Sequence, residues 1–106
     1  LMNDTWLMLR QLVEDHWLEL IDHTCAAGQA SPARVFRAEG MLQLALAVNA
    51  VDEAHLQQWG ELAAVRLAAA ISNELWPASI IQIESGEVKI VMLQRRAPVY
   101  RTTESG

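Results

Sequence analysis

Between residues 3 and 27 apolar side chains recur every three or four positions. Trp6, Leu9, Val13, Trp17, Leu20, Ile21 and Thr24 fall on one side of a helix, with Asp15, Glu19, Asp22 and His23 opposite. Asn3 and Asp4 are helix-capping residues and Gly28 is a natural helix stop, so the pattern predicts a helix over about 4–27. Leu7, Leu18 and Cys25 widen the apolar side, while Met8 and Leu12 lie towards the polar one. One neighbour would not cover that much apolar surface, and a second contact is expected.

Ser31-Pro32 is a capping residue followed by proline at the first helical position, where the missing backbone N–H is not needed. It opens a second helix over about 32–49. Val35, Ala38, Leu42, Ala45 and Leu46 make one stripe of it and Met41, Leu44 and Val48 another, so it belongs at the centre of a bundle or in a dimer interface. Gly40 interrupts it at a cost of up to about 1 kcal/mol relative to alanine, which predicts a close neighbouring backbone or a bend. Asp52 caps a third helix, expected to reach Trp76 before Pro77 stops it, with Leu56, Gly60, Ala63, Leu67 and Ile71 as its buried stripe and Trp59 off that stripe. Connections at 28–31 and 49–52 are short, which makes consecutive helices antiparallel neighbours.

From residue 79 the period changes to two, and "SIIQIESGEVKIVMLQRR" reads as a hairpin over about 79–95 turning at Ser85-Gly86. With those two residues as the loop, Ile83 faces Val88 and Ile81 faces Ile90 on the core side. Glu84 faces Glu87 and Gln82 faces Lys89 on the other. Ile80, Val91 and Leu93 then form an apolar base of the outer side, expected as docking surface, and Met8 and Leu12 on the first helix are the other candidates for it. Pro98 ends the second strand, residues 99–101 make a short third strand, and 102–106 fray. The expected fold is a single α+β domain over 1–106: three antiparallel helices followed by a C-terminal hairpin.

Composition supports a folded domain: 52% apolar against 20% charged residues over 106 positions is enough for a core without cross-links. Apolar runs are broken well short of the roughly 20 residues a membrane span needs, and the first residues do not read as a basic region followed by an apolar one, so a soluble, unexported protein is expected. Met2 is the expected start. Cys25 is the single cysteine, which excludes an intrachain disulfide and fits a reducing, cytoplasmic setting. The net charge of −5 opposes broad attraction to nucleic acid or anionic lipid. It is unevenly spread, since Asp4, Glu14, Asp15, Glu19 and Asp22 crowd the first helix while Arg95, Arg96 and Arg101 crowd the end of the chain.

Little chemistry emerges. His16, Glu19 and His23 sit three and four residues apart and share a helix face, a spacing that suits a divalent metal but equally a solvated acidic face, and no second ligand cluster supports them. No cofactor is expected. Phosphate loops, nucleophile elbows and HExxH motifs are absent, which argues against an enzyme. Three helices and a hairpin resemble a winged helix in element order, with Gln57 and Gln58 to reach bases and Lys89, Arg95, Arg96 and Arg101 to meet phosphates. Glu53 and Glu61 stand where phosphates would approach. The expected function is therefore a small cytoplasmic protein-interaction or regulatory module, a homodimer with an unknown protein partner, and the alternative is a nucleic-acid-binding regulator.

Overall fold

Local chemistry explains where each element begins and ends. The computed structural model describes residues 2–71 and 76–92, in the order α1 (Met2–Ala27), α2 (Pro32–Ala47), α3 (Glu53–Ala70), β1 (Ile81–Glu84) and β2 (Glu87–Ile90). The architecture is mostly helical α+β, three helices and then a two-stranded antiparallel hairpin. Residues 93–106, with the expected third strand and tail, lie outside the described residues.

α1 stops at Gly28, whose φ of 82° suits a residue without Cβ and whose N–H donates to the Thr24 carbonyl at 2.9 Å. The Ser31 side chain accepts from the Arg34 N–H, and Pro32 takes the first helical position as expected. α2 ends at Ala47, two residues before the sequence-based boundary, because Asn49 enters the left-handed region at φ 63°. The Asn49 N–H donates to Leu46 and the Ala50 N–H to Ala45, at 3.1 and 2.9 Å, so two carbonyls of the last turn are satisfied. Asp52 opens α3 by accepting from the His55 N–H at 2.8 Å. α3 closes at Ala70, well before the expected Trp76, because Ile71 is extended. The Trp76 indole N–H donates back to the Ile71 carbonyl at 3.1 Å and fixes the chain's return.

The hairpin adopts the expected register, Ile81 opposite Ile90, Gln82 opposite Lys89, Ile83 opposite Val88 and Glu84 opposite Glu87. Ser85 and Gly86 have φ of 55° and 79°, the pair of positive values that a type I′ turn requires. Ile81, Val88 and Ile90 are buried and Ile83 half-buried, whereas Gln82, Glu84, Glu87 and Lys89 are exposed. α1 packs on both other helices, β2 on α2 and β1 on α3. Trp17 and Ile21 of α1, Leu42 of α2 and Leu56 and Leu67 of α3 meet Ile80 and Ile81 in one core, where each large side chain contributes roughly 1.5–3 kcal/mol.

Two polar side chains of α2 hold the hairpin. Gln43 accepts from the Val88 N–H at 2.8 Å and donates to the Gly86 carbonyl at 2.9 Å, and Glu39 accepts from the Ile90 N–H at 2.8 Å. One turn apart on the helix, they match alternate amides along the strand. On the other side β1 meets α3 at Gly60, whose carbonyl accepts from the Ile80 N–H at 3.0 Å. A Cβ there would stand 2.2 Å from Ser79 Oγ and 2.7 Å from the Ile81 nitrogen.

Four sequence-based placements are corrected. Ile80 is fully buried instead of forming the outer base of the hairpin, because the chain passes under α3 before the ladder begins. Trp59 is buried between α1 and α3 despite lying off the main stripe. Trp6, expected in the core, is exposed on the first turns of α1. Of the two expectations for Gly40, the close neighbouring backbone is excluded, since nothing lies within 4 Å, and the close approach is found at Gly60 against Ser79 and Ile81.

Candidate functional site

α1 and α2 lie side by side, and the seam between them has two halves. In one, Trp6, Leu9, Leu12 and Val13 of α1 face Met41, Leu44, Ala45 and Val48 of α2 across an open groove of about 280 Å³. In the other, His16, Glu19 and Leu20 face Arg34, Arg37 and Ala38 across a cleft of about 40 Å³, and Met41 lines both. Helical spacing explains the continuity. Arg37, Met41, Leu44 and Val48 form one stripe of α2 at intervals of four, three and four, and Leu9, Leu12, His16 and Glu19 form the facing stripe of α1.

The charged half is positive on balance, with two arginines against Glu19. Arg34 is half-buried and Arg37 exposed. His16 Nδ1 lies 3.0 Å from the Leu12 carbonyl, so it donates there and Nε2 is left for another group. Asp15, the next acid along, accepts from Gln11 Nε2 at 2.9 Å. At the far end of the seam the Arg10 Nε–H donates to the Ala50 carbonyl at 3.1 Å, which ties α1 to the α2–α3 turn.

Leu12 is exposed in this seam, Met8 is exposed one turn before it outside the lining, and Val91 is half-buried with its N–H donated to the Ile80 carbonyl at 2.7 Å. Leu93, Arg95, Arg96 and Arg101 lie outside the described residues, so the fourth expected anion contact, Lys89, stands exposed on β2. His16 and Glu19 do come together, but with Arg34 and Arg37. His23 is half-buried with Nδ1 enclosed and unpartnered. Among the described residues no group of three His, Cys, Asp or Glu side chains is placed to hold a metal.

The winged-helix reading meets a packing difference. In a helix-turn-helix the two helices brace each other, whereas here the principal packing of α2 is with α1 and β2, and that of α3 with α1 and β1. Gln57 donates to Glu61 at 3.1 Å, and Arg66 is paired with Asp22, which raises the pKa of its guanidinium further. Sequence reasoning passed over Trp6, Arg34 and Arg37 as site residues, although Arg37 shares the stripe of Met41, Leu44 and Val48.

No family model, curated protein or solved structure matches the chain. Fold and site together define its class: a mostly helical α+β domain with an exposed seam, apolar at one end and basic at the other. Among the described residues no helix is long and apolar enough to cross a membrane.

Proposed function

We propose that the protein is a small cytoplasmic interaction or regulatory module that acts through a binding surface, not a reaction, and that the α1–α2 seam joins two copies as a homodimer. The carrying observation is the exposure of Trp6 (38%), Leu12 (53%), Leu44 (64%) and Val48 (37%) along one seam, with Met8 (72%) exposed one turn before Leu12 on α1. At roughly 200 Å² for a large side chain, these leave on the order of 500 Å² of apolar area in water. A stable interface covers about 800 Å² per partner, about two thirds of it apolar in homodimers. The patch matches that apolar share, and the charged half of the seam supplies a polar rim. Cys25, a free half-buried thiol, suits a reducing compartment.

Sedimentation equilibrium tests the reading. The protein is expected to be a dimer at roughly 50 µM, a concentration that populates interfaces of micromolar affinity. Leu12→Glu and Leu44→Glu, both at exposed positions, are expected to give monomers with unchanged circular dichroism. A wild-type monomer at that concentration overturns the proposal.

A further inference from the structure

On the homodimer reading above, we infer that the two copies dock with their α1 helices antiparallel, about a two-fold axis between Met8 and Leu12. Asp4 of each copy then enters the other's cleft at His16 and Arg37. Asp4, Met8, Leu12 and His16 follow at intervals of four and form one stripe of α1, about 18 Å long at 1.5 Å per residue. All four are exposed. Read against itself in the opposite direction, this stripe pairs Met8 with Leu12 and Asp4 with His16.

Other registers lose that match. An axis through Leu12 sets Met8 against His16, and an axis through Met8 sets Asp4 against Leu12, so each places an apolar side chain on a polar one. A parallel arrangement brings Asp4 onto Asp4. Only the axis between Met8 and Leu12 puts apolar on apolar and acid on base, and a two-fold axis satisfies both contacts twice. The cleft that receives the carboxylate holds Arg34 and Arg37 against Glu19, with His16 Nδ1 bonded to the Leu12 carbonyl and Nε2 the ring nitrogen that remains. Asp15 stands nearby but is engaged by Gln11. The apolar side chains give the dimer its area and the acid fixes its direction.

Dimer dissociation constants measured by sedimentation at about 50 mM salt test this, because partly exposed pairs are screened at higher ionic strength. Asp4→Arg and Arg37→Asp are each expected to weaken dimerisation about tenfold through two symmetry-related contacts. The double variant, with the charges exchanged, is expected to return to within about threefold of wild type. A second readout uses Cys25→Ser protein carrying Met8→Cys or Leu12→Cys. Mild oxidation is expected to cross-link a mixture of the two variants, since the axis sets those positions opposite each other, and to leave each alone largely uncross-linked. A wild-type dimer unmoved by Asp4→Arg, or cross-links confined to like positions, overturns the register and leaves the homodimer standing. A wild-type monomer at roughly 50 µM overturns both.

Discussion

Replacing Gly60 by alanine adds one methyl group where α3 and β1 come closest. The new Cβ would lie 2.2 Å from Ser79 Oγ, 2.7 Å from the Ile81 nitrogen and 3.0 Å from Ile81 Cβ. Ser79 Oγ moves only by giving up its 2.9 Å hydrogen bond to the Ile81 carbonyl, and the Ile81 nitrogen is backbone, so the strand itself must retreat. That retreat also stretches the 3.0 Å bond from the Ile80 N–H to the Gly60 carbonyl. Overpacking costs about 1–3 kcal/mol and each weakened hydrogen bond about 1 kcal/mol. Alanine's better helix propensity returns about 1 kcal/mol. The expected net loss is about 2–4 kcal/mol. Gly40→Ala is the matched control: it faces open space inside α2, so only the propensity gain of up to about 1 kcal/mol remains. Urea unfolding at one fixed protein concentration measures both, so that any contribution from association is the same in each comparison. A Gly60→Ala protein as stable as the parent would refute the close approach of α3 to β1.

The Gln43 clasp and the Asp52 cap give the remaining tests. Gln43→Ala leaves the half-buried Val88 amide without its acceptor, at an expected cost of about 1–2 kcal/mol, and hydrogen exchange at Val88 is expected to quicken selectively; unchanged protection would show that the clasp contributes nothing. At Asp52, hydrogen bonds from the His55 backbone and side chain hold the carboxyl pKa below its ordinary range. A depressed native pKa means stability that is fully present above the unfolded value and lost as pH falls from there through the lower native value. Asp52→Asn keeps the cap without the charge, so between about pH 5 and 3 its urea midpoint is expected to fall less than the parent's, and parallel curves would refute the assignment.

The hairpin was legible because its signals are local: a period of two and a Ser-Gly pair that accepts two positive φ values. Asn49 and Asp52 likewise carry their turn chemistry in their own side chains. Ile80 was misplaced because alternation assigns faces only where one face of a strand is covered. At the base of this hairpin α3 covers the second face, so Ile80 and Ile81 are buried in succession. The end of α3 was overestimated because Ala68, Ala69 and Ala70 continue a good helix and nothing local announces the extended Ile71. Of the site, Met8, Leu12, Leu44 and Val48 were visible as apolar surplus on two helices. That the surpluses adjoin, and that Arg34 and Arg37 border them, depends on how α1 lies across α2. Glu39 and Gln43 read as polar breaks in an apolar helix, because their partners lie 51 and 45 residues away.

The grip of those two side chains on β2 has a consequence for how the molecule meets its own copies. A strand at the margin of a sheet offers a row of free amides to any passing chain, and such rows seed open-ended stacking. Glu39 and Gln43 take the outward amides of Val88 and Ile90 for themselves. Side chains borrowed from a helix thus act as a terminating strand, so β2 offers a passing chain no row of free amides at Val88 and Ile90 on which fibres could start.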